Sequence, residues 1–356
     1  MGYMTRRTFV ELGAIAGGFA ALSGLAGCGS TSQASPASSA ASSFVESVES
    51  VESASSSSAS SSSASSAPTS SEAPQVYFTR ALDSAGLQAV FAAIGRELGS
   101  GKIGVKLSSG EPGGNHCLKG DLIADLVHAV GGTIVECNTA YGGGRSSIAA
   151  HYQVAADHGF TAIADFQIMD EAGSLSLPVV GGLHLSEDLV GAAFSDYDGF
   201  LVLSHFKGHM MAGFGGALKN ISIGMASREG KCLIHSAGAT SESWRSAATP
   251  DFLESMADAC KAVLAAQPNM LFVNVMNNLS VDCDSNPAPP KMADIGILAS
   301  ADPVALDQAC VDLVYASEDD SADLIKRMES RDGVHVLEAA ESLGVGSRAY
   351  ELVEIG

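Results

Sequence analysis

The stretch GFLVLSHFKGHMMAGFGGALKN (residues 199–220) decides the fold class of this 356-residue chain. Its first five residues form an apolar run without polar alternation, which predicts a strand buried on both faces. The remaining residues, 204–220, hold two histidines, two lysines and four glycines. A polar, glycine-rich loop directly after a buried strand is typical of a ligand site in an open α/β sheet.

The same order of strand, loop and helix recurs along the chain. Apolar runs occur at KIGVKL (102–107), TIVECN (133–138) and NMLFVNVMN (269–277). Segments with helical period lie between them, as in FLESMADACKAVLAAQ (252–267). Runs separated by helices predict an α/β fold with a mainly parallel sheet flanked by helices, in one lobe or two.

Several polar loops follow these strands and are expected to converge on one rim, because ligands bind beyond the carboxyl ends of parallel strands. The loops are SSGEPGGNH (108–116), ECNTAYGGGR (136–145) and NNLSVDCDSNPAPP (277–290). Glycine-rich backbone before a helix offers N–H groups to an anion. None of the loops matches a P-loop or a dinucleotide fingerprint, so the sequence gives nucleotide binding little support.

Two groups of residues predict a transition-metal site. His205 and His209 are four residues apart, and Asp282, Cys283 and Asp284 form a compact cluster. Imidazole and thiolate together suit zinc, nickel or iron better than magnesium or calcium. The alternative is that the histidines bind backbone groups and the VDCD segment is a solvated turn. The predicted metal ligands are His205, His209, Asp282 and Cys283.

Lysines near the glycines predict an anion site. A lysine beside glycine-rich backbone binds a carboxylate or phosphate, or acts as base or nucleophile when its pKa is lowered. Lys207 and Lys219 are therefore candidate catalytic residues, together with His209 as an acid–base group. Lys106, a polar residue in the apolar run GVKL, is a further candidate for this rim. The predicted cofactor-binding residues are Gly213, Gly215, Gly216, Lys219 and Asn220.

Composition limits the partners. The formal net charge of -21 argues against a nucleic-acid partner, which needs a basic face. The chain is 46% hydrophobic and only 17% charged, as expected for a well-buried core. Residues 76–356 are enough for one large domain or two modest ones.

The cysteines and one aspartate have structural interpretations. Cys260 and Cys310 lie on apolar faces of predicted helices and are expected in the core. No C-x-x-C occurs, so the chain has neither a ferredoxin-type iron–sulfur motif nor a zinc ribbon. Asp302, followed by Pro303, is expected to cap a helix. Disulfide pairing among the remaining cysteines stays open.

The N-terminal residues predict export. Residues 1–28 combine the pair Arg6–Arg7, a short apolar run and LAGC (25–28), as in a twin-arginine signal peptide ending in a lipobox. Cys28 would then be acylated and would anchor the protein to the outer face of the cytoplasmic membrane; a plain anchor helix is the alternative. Residues 29–75 are serine-rich and predict a disordered linker, which leaves residues 76–356 as the α/β domain.

In combination, these motifs resemble the family known as domain of unknown function 362. The resemblance runs in order through VKLSSGEPGGNH (105–116), LSHFKGHMMAGFGGALKNISIGMASREGK (203–231), NVMNNLSVDCD (274–284) and DIGILASADPVALDQACVDLVY (294–315). It implies an α/β fold but no established activity. Relatives often read Asp-Cys-Asp-Cys where this chain has Ser285 as the fourth residue, and some carry a ferredoxin module that is missing from this sequence.

A shorter similarity bears on chemistry. HMMAGFGGALKNISIG (209–224) is similar to the His-Gly-Phe-x-Gly-Gly-x-Lys motif of lactate racemases, whose lysine holds a nickel-pincer cofactor. The resemblance places Lys219 on that lysine and His209 on the upstream histidine.

Three function hypotheses follow. The first is an exported, metal- or cofactor-dependent enzyme acting on a small anionic molecule, of isomerase or redox type. The second is a lipid-anchored protein that binds a metal or solute without catalysis. The third is an accessory protein for membrane redox enzymes.

Overall fold

The structure is a computed structural model that describes residues 73–114, 116–283 and 289–356. The predicted export signal 1–28 with its lipidation site Cys28 lies outside the described residues, as do Asp284 and residues 29–72 of the predicted linker. In the described part of the chain, no helix is both long and apolar enough to span a membrane.

The strands begin and end close to the predicted apolar runs. In chain order they are β1 (Gln75–Thr79), β2 (Ile103–Lys106), β3 (Thr133–Glu136), β4 (Phe166–Ile168), β5 (Ser174–Pro178), β6 (Glu187–Gly191), β7 (Gly199–His205), β8 (Lys207–His209), β9 (Gly213–Gly215), β10 (Met270–Met276), β11 (Gly296–Ser300) and β12 (Glu351–Glu354).

The helices occupy the segments between them. They are α1 (Ser84–Ala93), α2 (Gly120–Ala129), α3 (Ile148–Asp157), α4 (Ala217–Ser222), α5 (Arg228–His235), α6 (Thr249–Ala266), α7 (Pro303–Tyr315), α8 (Ala322–Ser330) and α9 (His335–Ser342).

Within the described residues, eight strands form one sheet in the order β12-β1-β11-β10-β7-β2-β3-β4. The neighbours from β10 to β4 are all parallel, and only β11 runs against the other strands. The prediction of a mainly parallel sheet flanked by helices is therefore confirmed. Two small antiparallel pairs, β5–β6 and β8–β9, lie outside this sheet.

The position of strand β7 between two cores explains why residues 199–203 form an apolar run. Phe200 and Val202 belong to one hydrophobic core, whereas Leu201 and Leu203 belong to a second. Since successive side chains of a strand point to opposite faces, both faces of β7 are buried. Helices α1 and α2 contribute to the second core; α4, α6, α7 and α9 contribute to the first.

Two structural predictions are confirmed. Cys260 and Cys310 are fully buried in the first core, and no disulfide links the cysteines of the described residues. Asp302 caps α7, because its Oδ1 accepts hydrogen bonds from the N–H groups of Val304 at 2.9 Å and Ala305 at 3.0 Å.

Candidate functional site

The carboxyl ends of the parallel strands form a rim, defined as the loops after β2, β3, β7 and β10. Three ionisable residues end the first three of these strands: Lys106, Glu136 and His205. Nε2 of His205 donates to the carbonyl of Asn277 at 2.5 Å, and the N–H of Gly208 donates to the carbonyl of Ser280 at 2.8 Å. The loops after β7 and β10 therefore meet, as the sequence predicts.

The glycines after β7 make close contacts within the chain. Gly213 has a φ of +79°, and a Cβ there would lie 2.9 Å from Cα of Gly333. A Cβ on Gly216 would collide with the carboxylate of Asp307, and one on Gly215 would lie 3.2 Å from Cδ of Lys219. Packing against the chain itself thus accounts for glycine at 213 and 216 without a ligand.

The start of α4, which follows these glycines, is occupied by a side chain of the protein. The carboxylate of Asp307 accepts hydrogen bonds from the N–H groups of Ala217 at 2.8 Å and Leu218 at 2.9 Å. Nδ2 of Asn274 donates to the same carboxylate at 2.7 Å. Burial raises the pKa of Asp307 to about 6. Asp307 therefore fixes α4, and with it Lys219, against α7 and β10.

Asn220 connects β2 to β7 beneath the rim. Its Nδ2 donates to the carbonyls of Lys106 at 3.3 Å and Leu203 at 3.2 Å, and to Oγ of Ser204 at 3.0 Å. Its Oδ1 accepts a hydrogen bond from Nζ of Lys106 at 2.9 Å. The carboxamide, predicted to contact a cofactor, is thus used to position Lys106.

Lys106 is buried, with 2% of its surface exposed, and Lys219 is half-buried. Nζ of Lys106 also donates to the carbonyl of Leu107 at 2.6 Å, so the oxygens that receive its hydrogen bonds are neutral. Burial lowers the pKa of Lys106 to about 8, although Glu136 acts in the opposite direction. Burial likewise lowers the pKa of Lys219 to about 8, against the influence of Cys283. Both amines are partly neutral at slightly alkaline pH.

These two lysines belong to a larger positive group, here called the cationic cluster: Lys106, Lys207, Lys219, Lys231 and Arg145. Lys231 and Arg145 lower the pKa of both Lys106 and Lys219, and Lys207 also lowers that of Lys219. Nζ of Lys231 donates to the carbonyl of Ala226, again a neutral acceptor. In a chain with a net charge of -21, such a concentration of positive charge favours a bound anion.

Arg145 forms ion pairs with two carboxylates of the rim. Its Nη2 lies 2.8 Å from Oε1 of Glu111, and its Nη1 lies 3.2 Å from Oε2 of Glu136. Nε2 of His151 contacts the same Glu136 oxygen at 2.8 Å. Burial alone would raise the pKa of Glu136, but His151 and Arg145 together lower it well below its ordinary value. Glu136 is therefore ionised and fully engaged.

Both rim histidines carry their ring proton on Nε2. Nδ1 of His209 accepts hydrogen bonds from the N–H groups of Met211 at 3.3 Å and Ala212 at 3.0 Å, which places the proton on Nε2. Burial, followed by the charge of Lys219, lowers the pKa of His209 well below its ordinary value. His209 is thus a neutral donor. In His205, Nε2 likewise donates its proton, and the lone pair lies on Nδ1.

The predicted metal ligands do not form a group of three in the described residues. Nη2 of Arg327 pairs with Oδ2 of Asp282 at 3.0 Å. Cys283 lies near Lys219 and Tyr141, since it raises the pKa of both. Among the described residues, no three ligand atoms from His205, His209, Asp282 and Cys283 come within 4.8 Å of one another.

Aromatic residues that the sequence does not predict as part of the site border the cationic cluster. The ring of His235 lies 4.3 Å from that of Trp244, which meets Tyr141 edge-on at 6.3 Å. Burial, opposed by a hydrogen bond to the Lys231 carbonyl, lowers the pKa of His235 to about 4, and Lys219 contributes. Trp244 and Tyr141 are 41% and 42% exposed and thus reach solvent. The only signal for them was the single tryptophan of the chain.

Two solved structures are similar to this chain at low identity. One is the lactate racemase apoprotein from Thermoanaerobacterium thermosaccharolyticum, with 11% identity and a TM-score of 0.38 over 78% of this chain and 82% of that one. The other is a protein from Thermotoga maritima, with 11% identity and a TM-score of 0.38 over 72% of this chain and 58% of that one. No curated protein matches the sequence.

The family model described as domain of unknown function (DUF362) matches residues 103–312. This range runs from the first residue of β2 into α7 and includes all the residues of the cationic cluster. It is more than half of the chain, and it agrees with the motif resemblance in the sequence. The chain therefore belongs to the DUF362 family.

Proposed function

We propose that the rim binds a small carboxylate anion and transfers a proton to or from it, as an isomerase does. The observation that carries this proposal is that Lys106, which is buried, and Lys219, which is half-buried, lie within the cationic cluster. A buried ammonium held by neutral oxygens is costly unless a counter-charge completes its surroundings. A bound carboxylate supplies that charge.

The proton-transfer groups would be Lys219 and His209. With a pKa of about 8, the Lys219 amine exists in both protonation states near physiological pH, as a general acid or base requires. His209 contributes to the surroundings of the same amine and presents a neutral Nε2–H donor. The similarity of residues 209–224 to the lactate racemase motif makes 2-hydroxy acids the first anions to test.

The nickel cofactor implied by the lactate racemase motif fits Lys219 better than the other predicted site residues. An amine with a lowered pKa is nucleophilic, so Lys219 would be the attachment point of a cofactor that supplies a nickel centre, and proton transfer would then fall to His209 alone. His209 fits a metal less well, because its Nδ1 lone pair accepts backbone hydrogen bonds and its Nε2 carries a proton. Zinc, nickel or iron at His205, His209, Asp282 and Cys283 remains a proposal, and we assign no reaction step to it.

The first experiment measures anion binding by calorimetry with lactate, oxalate and inorganic phosphate. Lys106→Met and Lys219→Met each remove a charge-assisted hydrogen bond of about 1.5–3 kcal/mol, so affinity should fall by roughly 10–150-fold. Lys102→Met is the matched control. Lys102 is exposed and lies directly before the first residue of β2, at the end of the strand away from the rim. Unchanged binding in both rim variants would contradict the proposal.

A second experiment separates catalysis from binding. Lactate, which among these three anions is the one with carbon-bound protons, is incubated in deuterated water, and exchange at the proton on the carbon next to its carboxylate is followed by NMR. We expect exchange with the native protein and its loss, with binding retained, in His209→Gln. Binding without any exchange would favour the alternative of a solute-binding or redox-accessory protein without catalysis.

We also propose that the chain is exported by the twin-arginine route and anchored through Cys28 to the outer face of the cytoplasmic membrane. The support is the sequence of residues 1–28. Cys28→Ala should move the protein out of the membrane fraction or leave its signal uncleaved, whereas Ser30→Ala should change neither. Unchanged mass and membrane fractionation in Cys28→Ala would refute this proposal.

A further inference from the structure

A second cluster of ionisable side chains lies outside the rim, where the β5–β6 loop meets the starts of α6 and α9. Its members are His184, Asp251, Glu254 and His335, here called the His–Glu cluster. Nε2 of His184 lies 2.6 Å from one oxygen of Glu254, and Nε2 of His335 lies 2.9 Å from the other. Ligand atoms of His184, Asp251 and Glu254 lie within 4.8 Å of one another.

The local structure fixes three of these side chains in place. Asp251 and Glu254 are three residues apart on α6 and therefore share one face of the helix. Asp258, one turn beyond Glu254, accepts hydrogen bonds from the N–H groups of three consecutive loop residues at 2.7, 2.7 and 2.8 Å: Leu183, His184 and Leu185. The loop that carries His184 is thus tied directly to the helix that carries both carboxylates.

Gly182 allows the loop to come this close to α6. A Cβ at this position would lie 2.5 Å from the carbonyl oxygen of Leu185 and 3.0 Å from Cγ of Asp258. Only glycine fits there without moving the loop away. The site is therefore built on fixed backbone rather than on a free loop, which a defined coordination geometry requires.

His335 approaches from the other side. It is the first residue of α9, and its Nδ1 lies 3.7 Å from Oε2 of Glu338. When Nε2 of a histidine binds a metal, the ring proton resides on Nδ1, and a carboxylate beside Nδ1 stabilises that tautomer. Glu338 occupies this position for His335.

We propose that His184, Asp251 and Glu254 bind a divalent transition metal, with Zn²⁺ as the best match, and that His335, which contacts Glu254, moves in to complete the ligand set. Two imidazoles and two carboxylates provide the nitrogen and oxygen ligands that zinc takes, and four ligands are its usual number. The two carboxylates together balance the charge of the ion. The side chains of His184, Glu254 and His335 are about a quarter exposed, so the site is open to solvent.

Metal binding here would replace existing hydrogen bonds rather than create a new cavity. Glu254 now holds both imidazoles through its two oxygens, and a cation between them would take over that bridging role. The ring protons would move from Nε2 to Nδ1, so no oxidant, reductant or other reactant is required. The bound ion would fasten the β5–β6 loop and α9 to α6.

The test is a Zn²⁺ titration of the full-length protein after metal removal with EDTA, with Co²⁺ absorption as a second readout of ligand type. We expect one site that Glu254→Gln and His335→Asn each weaken by roughly 10–100-fold or more. Matched controls are Glu187→Gln on the neighbouring strand β6 and His128→Asn on α2, both exposed. Thermal unfolding without metal identifies a variant that has failed to fold, in which case Asp251→Asn takes its place.

The outcomes separate this proposal from the function of the rim. Loss of zinc binding in the cluster variants, with full binding in Lys219→Met, supports the inference whether or not the rim binds an anion. Undetectable zinc binding by the native protein overturns it. So does zinc binding that survives in the cluster variants but is lost in Cys283→Ser or His209→Gln, because the metal then lies at the rim.

Discussion

The rim and the His–Glu cluster each contain two histidines, yet the groups around these histidines have opposite chemistry. At the rim, Lys219, Lys207 and Arg327 surround His209, and its Nδ1 accepts hydrogen bonds from the backbone. In the His–Glu cluster, both histidines direct Nε2 at one carboxylate. The first arrangement suits an anion and the second a cation. The neighbours of a histidine, rather than its presence, decide which kind of ligand a site favours.

The largest expected effect is an opposite response of the two regions to pH. Burial lowers the pKa of Lys106 and of Lys219 to about 8, so both lose their charge as the pH rises through 8, well below the ordinary lysine value. Anion affinity at the rim should then fall by about tenfold per pH unit for each required lysine. Zinc affinity should instead fall in acid, because protons compete with the metal for imidazole nitrogen.

Calorimetric titrations of phosphate and Zn²⁺ between pH 5.5 and 9.5 would measure both trends. The variant Lys219→Arg provides a control. Lys219→Arg keeps its charge at every pH in this range and should flatten the alkaline fall in anion affinity. If both ligands followed the same pH profile, the contrast between the regions would be wrong.

The second prediction concerns a buried carboxyl group behind the cationic cluster. Within the described residues, neither oxygen of Asp188 has a hydrogen-bond partner. Burial raises its pKa to about 7, although the nearby N–H of Leu189 and the charge of Lys231 act in the opposite direction. A carboxyl group with a raised pKa stabilises the fold fully below its unfolded value and loses that contribution as the pH rises through 7.

We therefore expect the free energy of unfolding to decline between about pH 4 and pH 7 by a few kcal/mol, at about 1.4 kcal/mol per pKa unit. Asp188→Asn should remove this part of the decline in urea unfolding measured across that range. Glu187→Gln, the exposed neighbour, should retain it. Identical pH profiles for Asp188→Asn and the native protein would show that Asp188 is ionised in the fold.

The smallest expected effect tests whether stability alone can imitate a loss of binding. Asp302 caps α7 away from both regions, and Asp302→Ala should lower the free energy of unfolding by about 1 kcal/mol through loss of the cap. Anion and zinc affinities should both stay at native values, as measured by the same titrations. A change in either affinity would mean that the variants at the rim and the His–Glu cluster report on folding as well as on ligand contacts.

Much of the fold could be predicted from local patterns, because burial on both faces leaves a readable signature. The apolar run at residues 199–203 predicted β7, and repeated strands and helices predicted the parallel sheet. The reversed direction of β11 could not be predicted, because a short run such as GILAS carries no sign of orientation. The candidate site was predicted in part, since loops after parallel strands must meet at one edge.

What the sequence could not reveal were contacts between distant residues. Glu254 is 70 residues from His184 and 81 residues from His335, so no spacing rule connects them. Arg145 and Glu111 are likewise 34 residues apart. His205 and His209, which are four residues apart, lie on β7 and β8.

By itself, the sequence determined the α/β class, the positions of the strands and the presence of polar, lysine-bearing loops at their carboxyl ends. These follow from local hydrophobic pattern and from the direction of parallel strands. Only the tertiary structure decided the charge state and tautomer of each group. Burial lowers the pKa of Lys219, backbone N–H groups place the proton of His209 on Nε2, and Glu254 gathers two histidines from opposite sides. Each depends on neighbours that the chain supplies from afar, and no local pattern encodes them.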